Sequence, residues 1–139
     1  MTNRFTRTFA AEPRHIDELG HVNNSVWVQW IQDLATAHWN AVADPDHLEQ
    51  FFWVVIRHEI DYRGNIFAGE TATGTTWIPD PPKGATSVRH VEFTDPDGKP
   101  LVSAQTKWAM LDRASGRLAR VRPEVIAPFL PGVPPESAD

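Results

Sequence analysis

The chain has 139 residues, a formal net charge of −5 and no cysteine. That length fits one domain able to bury a real core, and without cysteine there are no disulfides, thiolate metal sites or cysteine nucleophiles. An acidic chain with no run of Lys or Arg argues against non-specific binding to nucleic acid or anionic membranes.

Residues 4–10, Arg-Phe-Thr-Arg-Thr-Phe-Ala, read as a first strand. Met1–Phe9 has no apolar core of a signal peptide, and no run approaches the length of a membrane span. A loop through Asp17 to Asn23 precedes a helix from Asn24, where Val26, Trp27, Trp30, Ile31, Leu34, Ala35 and His38 recur at helical spacing. That helix is expected to end before Asp44-Pro45, with a helical turn near Asp46–Phe51.

The period then changes to two. Val54, Ile56, His58, Ile60 and Tyr62 are expected to share one face of a strand over Trp53–Tyr62. Further strands are expected at Glu70–Ile78, Thr86–Thr94 and Leu101–Asp112, with Arg117–Val121 continuing the last one after a turn. Asp95-Pro-Asp-Gly-Lys99 is a hairpin signal, and Pro79–Gly84 makes a second strand connection. Pro123 opens a short helix to Leu130, and the Pro-rich Pro131–Asp139 is expected to be a disordered tail to a domain over residues 1–130. One long helix followed by consecutive antiparallel strands implies an α+β layer with a sheet wrapped on the helix. Its free sheet edge favours a homodimer or homotetramer.

The residues with chemical content are Asp17-Glu18-Leu19-Gly20-His21-Val22-Asn23-Asn24. A carboxylate, a glycine suited to a tight turn and the unpaired N–H groups of a helix start fall together. A helix start carries partial positive charge and can hold an oxyanion. An acid beside such a site is the minimum equipment for acyl transfer. The competing reading is a capped helix after a turn, with Asp17 and the asparagines serving only the backbone.

Asp17-x-x-Gly20-His21-Val22-Asn23-Asn24 followed by Trp27 resembles a signature of the hotdog-fold acyl-CoA thioesterases of the 4-hydroxybenzoyl-CoA thioesterase-like family. His58-Glu-Ile-Asp-Tyr62 with Gly69-Glu70 resembles that family's second strand and following turn. Trp108–Asp112, Ser115-Gly116-Arg117 and Pro123-Glu124 resemble its C-terminal strands. The resemblance implies a hotdog fold, a long central helix wrapped by about five antiparallel strands. It places the catalytic carboxylate on Asp17 and an oxyanion-binding backbone N–H near Asn24. Trp27 departs from the family's usual tyrosine.

On this reading Asp17 attacks a thioester carbonyl to give a mixed anhydride, or takes a proton from the attacking water. His21 orients a water, touches the thioester or ties down the loop, while Asn23 caps the helix. Trp27 and Trp30 read as core residues of the helix, with Trp27 the better placed of the two to touch the acyl group. Lys83 and Arg89 are expected to flank a sheet-edge loop, where they either meet coenzyme A phosphates or are solvated surface charges. His58 reads as a satisfied histidine rather than a catalyst. No metal site or cofactor is expected, coenzyme A being part of the substrate, and the expected location is cytoplasmic. The alternatives are an enoyl thioester hydratase or dehydratase, which needs a paired acid and histidine, and a non-catalytic acyl-binding dimer.

Overall fold

A computed structural model describes residues 3–131. The expected disordered tail thus lies outside the described residues, apart from Pro131. In chain order the elements are β1 (Phe5–Ala10), α1 (Asn24–Val42), α2 (Pro45–Gln50), β2 (Phe51–Tyr62), β3 (Thr71–Trp77), β4 (Thr86–Thr94), β5 (Pro100–Asp112) and α3 (Pro123–Ile126). The strands form one antiparallel sheet in the order β1-β3-β4-β5-β2. The hotdog expectation holds: α1 is wrapped by a five-stranded sheet.

Local chemistry sets the element boundaries. Asn23 Oδ1 accepts from the Ser25 N–H at 2.9 Å, the capping bond that starts α1. Asp44 caps α2 in the same way, with Pro45 in its first turn. Asp95 Oδ1 accepts from the Asp97 and Lys99 N–H groups, both at 2.9 Å, and closes the β4–β5 hairpin. Gly74 is required by close approach, because a Cβ there would lie 2.7 Å from the Phe93 ring and 3.0 Å from Leu34.

Two expectations need correction. Arg117–Val121 is not a strand; one bridge joins Leu111 to Leu118, and the Val121 N–H bonds to the Gly84 carbonyl as the segment crosses the sheet end. Gly116, at φ 72°, turns the chain there too sharply to continue β5. In β2 a bulge between Val55 and Arg57 breaks the expected alternation. Val55 pairs with Trp108 and His58 with Thr106, so Val55 rather than Val54 shares the face of His58. Val54 and Ile56 are 40% and 53% exposed on this outermost strand.

The interior divides into two clusters along α1. Trp27, Trp30, Ile31 and Leu34 pack with Phe9, Phe93, Val102 and Ala104 at the helix N-terminal half. Trp39 and Ala43 pack with Met110, Ile126 and Phe129 at the other half. Among the described residues no helix is long and apolar enough to cross a membrane.

Candidate functional site

The Asp17 motif forms a small hairpin. An Ile16–Val22 bridge closes it, Gly20 supplies the positive φ of 84°, and the Asp17 carboxylate sits inside the turn. Asp17 Oδ1 accepts from the N–H groups of Leu19 at 2.9 Å and His21 at 3.2 Å. These bonds fix the carboxyl group while leaving Asp17 half-buried rather than sealed.

The residue after the bridge is Asn23, so the turn feeds straight into the start of α1. Asn24 is the first helical residue, and its N–H has no partner among the described residues. A helix N-terminus with a free amide favours a developing negative charge. The loop is braced from behind by Asn65, whose Oδ1 accepts from the Val22 N–H at 3.2 Å and whose Nδ2 donates to the Val22 carbonyl at 3.1 Å.

Asp17, His21, Asn23 and Asn24 are therefore brought together. His21 packs its ring on Phe67 at 5.0 Å, an aromatic that is 54% exposed. Leu19 is 76% exposed beside it, and the Tyr62 hydroxyl lies 3.5 Å from the Asn24 carbonyl. Burial raises the Tyr62 pKa, so the phenol stays protonated. Sequence reasoning missed Phe67 and Tyr62 as parts of this surface. The only signal for Phe67 was a large aromatic in a Gly/Asn-rich turn.

The other assigned residues lie elsewhere. Trp27 does not reach this surface: it is 0% exposed, 5.1 Å from Trp30 and 5.2 Å from Phe93 in edge-on packing, so it is core rather than an acyl contact. Its spacing with Trp30, Ile31 and Leu34 carried that information. Arg89 does not flank a surface loop and is not free for a coenzyme A phosphate. It is 6% exposed and points inward, its Nη1 bonding to His38 Nδ1 at 2.8 Å and Thr76 Oγ1 at 3.2 Å. Strand alternation explains it, since Ser87, Arg89, Val91 and Phe93 share the buried face of β4. Lys83 is exposed in the β3–β4 connection. β3 starts near the Asp17 loop, through an Ala11–Glu70 backbone bond, and its 7 residues carry the chain roughly 20 Å away before Lys83.

His58 has Nδ1 at 2.9 Å from Thr106 Oγ1 and Nε2 at 3.4 Å from Gln32 Nε2, and burial lowers its pKa. Among the described residues no group of three or more His, Asp or Glu is placed to hold a metal ion.

A cavity of about 230 Å³ lies inside the chain, but not at Asp17. Ala35, Trp39, Phe51, Ser87, Arg89 and Trp108 are among the residues around it. From Asn24 to Trp39 the helix rises roughly 22 Å, so the cavity and the Asp17 turn are at opposite ends of α1.

Residues 2–129 match the family model described as the acyl-ACP thioesterase N-terminal domain. The chain belongs to this family. No curated protein sequence matches it. Solved structures with the same fold include a 12:0-ACP thioesterase from Umbellularia californica, with a TM-score of 0.77 and 16% identity over 92% of this chain and 51% of that one. An acyl-ACP thioesterase from Bacteroides thetaiotaomicron aligns with a TM-score of 0.78 and 21% identity over 99% of this chain and 57% of that one. A 1,4-dihydroxy-2-naphthoyl-CoA thioesterase from Synechocystis aligns with a TM-score of 0.71 and 14% identity over 87% of this chain and 91% of that one. This family member thus spans about half the length of the two acyl-ACP thioesterases and nearly all of the CoA thioesterase's length. At these identities the likenesses establish the hotdog fold.

Proposed function

We propose that the chain hydrolyses an acyl thioester, with Asp17 as nucleophile or general base and the start of α1 at Asn24 as the oxyanion site. The observation that carries this reading is the continuity of the Asp17 turn with the helix N-terminus: one bridge and one capping residue separate a fixed carboxylate from a free amide. A thioester carbonyl set against the Asn24 N–H is polarised, and the donor favours the tetrahedral oxyanion over the ground state. In one route an Asp17 oxygen bonds to the carbonyl carbon, the C–S bond breaks and the thiolate leaves; water then hydrolyses the mixed anhydride. In the other, Asp17 accepts the proton of the attacking water and passes it to the departing sulfur. Neither route requires a metal or a separate cofactor, and either fits a cytoplasmic thioester pool.

The thiol carrier is coenzyme A or acyl-carrier protein. Both occur in the names of structures sharing the fold. Phe67, Leu19 and Tyr62 offer an exposed apolar surface where the acyl group can lie, and a second copy is proposed to complete it. β2 is an unpaired edge of 12 residues with Val54 and Ile56 exposed, and pairing it with another β2 covers that edge. Light scattering is expected to give the mass of two or four chains; a fully active monomer contradicts this arrangement.

A second reading is an acyl-binding module without turnover. It is favoured by the match to an N-terminal domain and by the share of the acyl-ACP thioesterases the chain spans, 51% and 57%. A panel of acyl-CoA and acyl-carrier-protein thioesters with a thiol reagent separates the two. Thiol release above the background rate supports hydrolysis, and binding without release on every substrate rejects it.

A further inference from the structure

The cavity at the far end of α1 has an unusual electrostatic makeup. Two charged residues line it, Arg89 and Arg113, and no Asp or Glu does, although the whole chain carries a net charge of −5. Arg113 is exposed, as are Thr36 and Asn40, which marks where the cavity meets solvent. Arg89 is at the buried end. Among the described residues it has no carboxylate partner, and its recorded hydrogen bonds use Nη1 alone, to His38 and Thr76.

His38 supplies no compensating charge. Burial, reinforced by the neighbouring Arg89 cation, pushes its pKa down to about 3, so it stands neutral with Nδ1 as acceptor. Burial pushes Arg89 down to about 10, which still leaves it charged at neutral pH. Burying a guanidinium without a counter-charge is unfavourable, and proteins normally pair such a group. Two more lining residues carry buried polar atoms without partners, Ser87 Oγ and Trp108 Nε1. Both are hydrogen-bond donors. Apart from Thr36 and Asn40 at the mouth, the rest of the wall is apolar and aromatic, including Trp39, Trp53 and Phe129.

We infer that this cavity binds an apolar monocarboxylate, its carboxylate paired with Arg89 and reached by the Ser87 hydroxyl and Trp108 indole N–H, its hydrocarbon body against the aromatic wall. The site is separate from Asp17 and does not depend on hydrolysis there. The same carboxylate chemistry can arrive as a free acid or as the far end of a dicarboxylic acyl thioester.

Titrations of the full chain with octanoate and 1-octanol test this, read by calorimetry and by the fluorescence of the cavity tryptophans. Octanoate is expected to bind at least tenfold more tightly than the alcohol. Arg89→Met is expected to abolish that preference while keeping the weaker alcohol binding, and Ser87→Ala to weaken octanoate several-fold. Competition by the N-acetylcysteamine monothioester of a dicarboxylic acid of similar length shows whether the thioester form also enters; displacement assigns both sources, and no displacement restricts the site to free acids. Equal affinity for octanoate and octanol in the wild-type chain overturns the inference, as does binding of neither. So does a carboxylate preference that survives in a folded Arg89→Met variant. If Arg89→Met does not fold, the wild-type comparison and Ser87→Ala decide.

Discussion

The two halves of the α1–sheet interface are built to opposite specifications. At the N-terminal half the sheet offers Ala72, Gly74, Val91, Phe93, Val102 and Ala104, and α1 answers with Trp27, Trp30, Ile31 and Leu34. The space is full: a single Cβ at Gly74 would meet Phe93 at 2.7 Å. At the C-terminal half the same strands offer Thr76, Ser87, Arg89 and Thr106, α1 contributes His38, and a cavity of about 230 Å³ remains. The packed half stands behind the Asp17 turn. A substrate reacting there lies on the outer surface, against Phe67 and Leu19, a second copy, or the open groove lined by His15, Ser25, Val26 and Trp30, because the aromatic cluster fills the interior beneath it. The hollow half has room for a ligand but no acid beside it. Chemistry and internal ligand space are thus separated by most of the helix.

The widest predicted contrast between the halves is in acid. The folded-state pKa of His38, about 3, lies far below its ordinary 6.5. Below pH 6.5 the unfolded chain takes up a proton that the folded chain refuses, so this stability is whole above pH 6.5 and is lost as pH falls toward 3. One such histidine changes stability by up to about 1.4 kcal/mol per pH unit within that window. Urea unfolding from pH 7 to pH 5 is expected to show the loss, and His38→Gln, which keeps an acceptor for Arg89, to reduce it. His58 acts in the same direction, so the slope shrinks rather than vanishes. An unchanged slope in the variant would mean that His38 titrates normally.

The next contrast is steric. Gly74→Ala overpacks the full half and is expected to cost about 1–3 kcal/mol in urea unfolding. A cost below a few tenths would show that the aromatic cluster has slack. The smallest effect belongs to the hollow half. Ser87→Val adds volume beside the cavity and removes an unpartnered hydroxyl, so stability should be unchanged or rise by up to about 1 kcal/mol. A clear loss would show that the hydroxyl has a partner or that the cavity is closed in solution.

Much of this was legible in the sequence. The helical spacing of Trp27 through His38 and the cap at Asn23 fixed α1, and the hairpin residues Asp95–Lys99 fixed the β4–β5 turn. The Asp17 turn was legible because Gly20 and the adjacent helix start leave few other conformations. Arg89 was misplaced because an expected role was set above the periodicity, whereas for Trp27 the core reading holds and the acyl contact does not. Arg89 alternates with Val91 and Phe93, and Trp27 shares a helical face with Leu34, so both pointed inward. The cavity was not legible, since empty space arises from side chains four strands and a helix apart in sequence. Nor was the β2 bulge, which no Gly or Pro announces.

The separation of chemistry from ligand space stands or falls on Asp17→Asn. Asparagine keeps an Oδ1 to accept from Leu19 and His21, so the turn persists while the nucleophile or base is removed. Thiol release from the best thioester of the panel, measured beside circular dichroism, is expected to fall at least a hundredfold with an unchanged spectrum. Turnover within a few-fold of wild type would place the reacting group elsewhere and reduce Asp17 to a turn residue.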